Sequence, residues 1–367
     1  MTLDTTPDVS VPAASTRGYR EHAHPLWRRV LLTREMAVIA LLVAVYFWSR
    51  LTIEGFGGEL TLYFLFLDTA PILLIALPMT MVIVTGEIDL SVASVVGLSS
   101  VVFGLLHQDA ALPIPLAALL AILVGVVCGA FNGFLVAYLR LPSLAVTIGT
   151  LALFRGLAVG ALGTTAKTEF DSFWTDLATD RIVESQPFPW ILVPFVILLA
   201  GFTLLLHFTP FGRGVYETGL NDQAARFTGV DVARTKLWLF VIAGTVSALA
   251  GVYYTLRFGS ARGDNATGLE LQVIAAVLLG GVSIFGGRGA IHGVVAGVLL
   301  IGVLSSALRL DGHTVNVINI VIGTLLVLSV ISTRVIAWAS RTADARRRSQ
   351  AVPAGAAVPD SHHPSIN

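Results

Sequence analysis

Two carboxylates stand between long apolar stretches in the run Thr85, Gly86, Glu87, Ile88, Asp89, Leu90 and Ser91. Ionised side chains beside hydrocarbon are costly unless they reach water, a cavity or a partner. Two arrangements meet that need. In one, Asp89 or Ser91 caps the helix that follows by accepting from the unpaired N–H groups of its first turn. In the other, the helix breaks here and unwound backbone lines a cavity across the membrane, a setting in which irregular backbone is tolerated at that depth. Arg155, between Phe154 and Gly156, lies near the middle of another apolar stretch. It needs an anionic or carbonyl partner, and Glu87 and Asp89 are the candidate anions. Asn132 joins Asp89 and Arg155 as a candidate for lining a polar path.

A third polar feature is the segment of 25 residues from Gly212 to Lys236, set between two apolar stretches. Asn221 begins a short helix there, because its side-chain oxygen can accept from first-turn N–H groups, and Gly229 can close it in the left-handed conformation. Two turns fit between them. Such an element is either an ordinary amphipathic helix at the membrane surface or a structure presented to a cytoplasmic partner.

Other chemistries lack their residues. No phosphate-binding loop of the form Gly-x-x-x-x-Gly-Lys-Ser/Thr occurs, and no lysine follows a glycine, so the chain has no usual means of cradling ATP. His-Glu-x-x-His and Gly-x-Ser-x-Gly are missing too. The single cysteine, Cys128, supports neither a disulfide framework nor a cysteine-based metal site. His107, His292 and His313 are isolated, and His292 reads as a packed, hydrogen-bonded residue. Neither catalytic residues nor metal ligands are expected.

The elements that must position these residues are membrane helices. Of 367 residues, 55% are hydrophobic and 13% charged, against roughly a quarter charged in soluble domains. A hydrocarbon core about 30 Å thick needs roughly 20 apolar residues per helix. About ten segments qualify: 36–53, 62–85, 91–107, 113–138, 144–164, 188–208, 237–257, 269–286, 289–309 and 316–335. The expected fold is an all-α membrane bundle over 36–335, containing the polar segment 212–236, with tails at 1–35 and 336–367 whose composition reads as disordered. No small-residue cleavage site follows the first apolar run, which is read as a retained span. With the N-terminus inside, ten spans place sixteen of the 23 Lys and Arg residues in the cytoplasm and six outside, with Arg155 within a span. By the retention of positive charge inside, both termini and 212–236 are cytoplasmic, and 167–189 is the longest external loop. Glycines at helical spacing (125, 129 and 133; 156 and 160; 289, 293 and 297) predict close helix packing and a compact bundle.

Four stretches taken together resemble a known family. Gly86 to Ser91, Pro142 to Gly156, Gly212 to Gly229, and Ala275 to Gly281 with Gly286 to Gly289 are similar, in the same order, to segments of bacterial ABC sugar-importer permeases of the ribose, xylose, rhamnose and autoinducer-2 type. The likeness covers roughly residues 36–335. Glu87 stands where the family commonly has a second glycine, which points to the rhamnose or autoinducer-2 branch. The resemblance implies a transport subunit with no cofactor of its own, ATP and Mg being bound by a separate ATPase. It also implies a periplasmic or lipid-anchored sugar-binding protein, a second permease copy or paralogue, surrounding lipid, and no nucleic acid. Residues 221–229 match the family's coupling helix, on which the ATPase docks. Ala224 and Ala225 then offer a small-residue surface for a cleft, with Asp222 and Arg226 as rim charges and Asn221 and Gly229 as caps. Glu87, Asp89, Ser91, Asn132 and Arg155 are the pathway or gating candidates. Two rivals remain: a branched-chain amino-acid permease of the same class, and an ion-coupled carrier using Asp68 and Glu87.

Overall fold

The computed structural model describes residues 34–329 and 331. The predicted tails, 1–35 and 336–367, therefore fall almost wholly outside the described residues. Thirteen helices occur among those described: α1 (Arg34–Thr52), α2 (Glu59–Val84), α3 (Val92–Gln108), α4 (Ile114–Ala137), α5 (Ser143–Leu162), α6 (Ser172–Thr179), α7 (Leu192–Phe208), α8 (Pro210–Leu220), α9 (Asp222–Phe227), α10 (Val232–Phe258), α11 (Leu269–Leu279), α12 (Ile291–Leu310) and α13 (Val315–Ser329). The only extended pairings among them are two isolated bridges, Lys167 with Ala261 and Arg181 with Pro189.

An all-round apolar helix belongs in a bundle centre. That is where α2 lies: every residue from Thr69 to Val84 is buried, and the helix packs against α7, α10, α11 and α12. The other central helix, α10, packs against α2, α3 and α4. Without a hydrophobic driving force between helices in lipid, close van der Waals approach holds such a bundle together, and small residues permit it. Gly129 of α4 shows how close: a Cβ there would stand 2.3 Å from the Phe240 carbonyl of α10, and one on Gly125 would stand 2.4 Å from that of Gly244. Gly293 and Gly297 of α12 meet α11 in the same way. The glycine spacing thus marks two tight crossings. It does not mark a third, because Gly156 and Gly160 of α5 have nothing within 4 Å of where a Cβ would sit. Gly289 precedes α12 as part of a turn, with φ +156°.

By length and composition, six of the described helices can cross a membrane, namely α1, α2, α4, α5, α10 and α12. The bent pair α7 and α8, turning by 66° between Phe208 and Pro210, makes up to seven. Helices α3, α11 and α13 are apolar but shorter than 18 residues, which is where the described count parts from ten. The structure also adds two helices to segments expected to be loops. The first, α8, starts where Pro210 has no N–H to satisfy and Thr209 accepts from Gly212 N at 3.2 Å. The second, α6, starts where Asp171 accepts from Phe173 N at 2.9 Å.

Candidate functional site

Residues 85–91 form a break between α2 and α3. Gly86 turns the chain with φ +84°, a conformation that costs glycine little. Asp89 is buried, and its Oδ1 accepts from Ser91 N (2.9 Å) and Ser91 Oγ (2.6 Å). Because that hydroxyl proton goes to Asp89, Ser91 Oγ is free to accept from Asn132 Nδ2 at 2.8 Å. Asp89, Ser91 and Asn132 therefore form one buried chain joining the break to the C-terminal part of α4. Asn132 Oδ1 has no hydrogen-bond partner, so the chain ends in an open acceptor. Ser91 occupies the N-cap position of α3 without a side-chain bond to its amides. Capping in the predicted form is absent, and the break itself is present.

Two contacts moor the break to α5: Ser143 Oγ accepts from Ile88 N at 3.1 Å, and Thr147 Oγ1 donates to Ile88 O at 3.2 Å. These contacts correct the expected pairing of Arg155 with Glu87 or Asp89. Arg155 lies twelve residues beyond Ser143, about 18 Å along α5 at 1.5 Å per residue. Its guanidinium donates instead to the carbonyls of Gly263 (2.8 Å), Asn265 (2.7 Å) and Ala93 (3.0 Å), tying α5 to α3 and to the loop after α10. Gly97 makes room, since a Cβ there would stand 2.4 Å from Arg155 Nη1. In the same loop Arg262 donates to both oxygens of Asp264, at 2.9 and 3.0 Å, and holds that carboxyl below the usual carboxylate range.

The polar segment begins with α8, whose face is glycine where other backbone approaches. A Cβ on Gly219 would stand 1.8 Å from Val84 O and 2.5 Å from Gly287 N, and Gly287 N donates to Val84 O at 2.8 Å. Tyr216 Oη donates to Gly289 O at 2.7 Å. The end of α2, α8 and the turn 283–289 are thereby locked into one junction. Helix α9 follows as the sequence predicts: Asn221 Oδ1 accepts from Gln223 N and Ala224 N, both at 2.9 Å, and Gly229 has φ +91°. Its outward face differs from the expectation. Ala225 is 2% exposed and packs inward, whereas Ala224 and Arg226 are exposed and Phe227 is 93% exposed, and Leu220 at the end of α8 is exposed as well. Asp222 does not stand free at a rim. Lys236 Nζ lies 2.7 Å from its Oδ2 and 2.7 Å from Glu87 Oε1.

Sequence reasoning missed Lys236, Ser143, Thr147, Tyr216 and Phe227. Lys236 had a signal, as one of two lysines in the chain. The others are ordinary residue types whose roles come only from what the fold brings near.

The four sequence-distant motifs, namely the break, the start of α5, the polar segment and the Gly286–Gly289 part of the fourth, converge at one end of an all-helical, multi-pass membrane bundle. Among the described residues no group of three His, Cys, Asp or Glu side chains stands close enough to hold a metal ion. Polar groups here stitch helices together, as in a transport subunit. The chain belongs to the family described as "Branched-chain amino acid transport system / permease component", whose model matches residues 61–330. It is 37% identical over 303 residues to the "Autoinducer 2 import system permease protein LsrD" of Yersinia enterocolitica, covering 81% of this chain and 90% of that protein. The protein of the same name from Escherichia coli K12 is 37% identical over 310 residues, covering 81% of this chain and 91% of its own length. No solved structure matches. The permease resemblance read from the motifs is borne out, as is the branch to which Glu87 pointed.

Proposed function

We propose that the chain is the permease subunit of an ATP-driven importer of autoinducer-2 or a similar sugar-like solute, energised by a separate ATPase that carries ATP and Mg. The observation that supports this best is α9. It is capped at both ends, held to the bundle through Ala225, and turns Phe227 and Ala224 outward, with Leu220 exposed at the end of α8. An exposed apolar side chain next to a cation on a rigid element suits a cleft of a partner protein. In this reading α3, α11 and α13 complete ten spans, both termini are cytoplasmic, and the permease domain extends over 36–335 with the coupling segment at 212–236. The chain Asp89–Ser91–Asn132, with its open acceptor, lies beside the solute path. Arg155 keeps the helices around the path in place. A second permease, copy or paralogue, covers the small open face of α5 at Gly149, Gly156 and Gly160, and a sugar-binding protein delivers the solute on the outer side.

An ion-coupled carrier needs carboxylates free to bind its ion. Asp68 is engaged by Arg257 and by Arg309 (2.9 Å), and Glu87 by Lys236, which speaks against such a carrier. Branched-chain amino acids stay as a second reading because the family description names them. Uptake into proteoliposomes holding the chain, its cognate ATPase and binding protein separates the readings. ATP-dependent entry of labelled autoinducer-2 but not of leucine is the expected result; entry of leucine alone overturns the solute assignment.

A further inference from the structure

Lys236 joins α9 to the break at 85–91 through side-chain ion pairs. It sits in the first turns of α10, which packs against α4, and is 12% exposed. One carboxylate it holds, Glu87, is two residues from Asp89 in the break; the other, Asp222, opens α9. The three meet in a polar cleft of about 270 Å³ that Arg140 and Arg226 also line. Two carboxylates bridged by one ammonium repel each other once it is gone, and a mostly buried charge stripped of its partner is strongly disfavoured. A shift of Asp222 with α9 therefore alters the charge balance at Glu87 directly. Asp222, 43% exposed, is the arm that exchanges its partner for water more readily, and Glu87, 16% exposed, the arm held more tightly.

We propose that Lys236 is the coupling residue of the subunit: its two ion pairs transmit displacement of α9 to the break at 85–91 and so to the Asp89–Ser91–Asn132 chain. This depends on α9 being the ATPase-docking element. The test uses the full chain with its cognate ATPase and binding protein in proteoliposomes, with autoinducer-2 as the probe. ATPase co-purification, ATP hydrolysis and solute uptake are measured on one preparation.

For Lys236→Met the expected result is unchanged ATPase co-purification and at least a tenfold fall in solute taken up per ATP hydrolysed. Lys236→Arg, which keeps both pairs, should retain at least half of the wild-type ratio. Asp222→Asn, which spares the Glu87 pair, should fall between them and serves if Lys236→Met does not accumulate in the membrane. A wild-type uptake ratio in Lys236→Met or in Asp222→Asn overturns the proposal. Failure of wild-type chain to retain the ATPase at all overturns the docking assignment instead.

Discussion

At the scale of single residues, charges near the membrane are neutralised by different means according to what lies within reach. Arg155 uses three backbone carbonyls, and Lys236 uses two carboxylates. Hydrogen bonds to a charged group contribute about 1.5–3 kcal/mol each, so Arg155→Met should lower the unfolding midpoint in detergent by several degrees. Arg155→Lys should recover part of the loss. Reversing the charges at 87 and 155 together should do no better than either change alone, because the two side chains share no contact; restored uptake in the double variant would refute the carbonyl assignment. That Arg155 needed a partner was legible in the sequence. Which partner was not, since a carbonyl acceptor leaves no mark on residue type and any residue in the loop after α10 supplies one.

At the scale of elements, glycine decides which helices touch. Gly129→Val should destabilise the bundle by at least the 1–3 kcal/mol typical of overpacking, because the neighbour it meets at 2.3 Å is backbone that cannot move aside. Gly156→Val should leave the unfolding midpoint of the isolated protomer unchanged, since open space lies in front of it. Thermal unfolding of both variants in the same detergent checks the contrast; equal losses would contradict it. The caps of α9 were readable from Asn221 and Gly229 because capping is local chemistry. Helix α8 was not readable. Pro210, Gly212, Gly214 and Gly219 look like a helix-breaking run, yet Pro210 sits at the first helical position and Gly212 and Gly219 are there for close contacts with Leu206 O and Val84 O. Tertiary approach outweighs intrinsic propensity in that helix. Ala225 misled for a related reason: small size marks either a cleft-filling surface or a packed contact, and only the fold tells which.

At the scale of the whole molecule, all four motifs resembling a permease meet at one end, the fourth through its Gly286–Gly289 part, while Asp68, Arg257 and Arg309 staple α2, α10 and α12 about 24 Å along α2 from Val84. The chain is tied at both ends, and the end bearing α9 carries Phe227, 93% exposed. The proposed topology puts these ends on opposite sides of the membrane. A cysteine at Arg226 should be labelled only from the cytoplasmic side and one at Arg262 only from the outside; the reverse pattern would invert the topology. The family and the helical class were legible in composition and motifs, whereas the convergence of the motifs depends on packing between residues far apart in the chain. The central claim, that α9 receives an ATPase, is tested most directly by co-purification of the cognate ATPase with Phe227→Asp. Retention should drop at least tenfold with membrane abundance unchanged, while Phe131→Ala, an equally plain loss of an exposed aromatic on α4, leaves it intact. Full retention of the ATPase by Phe227→Asp would contradict the account.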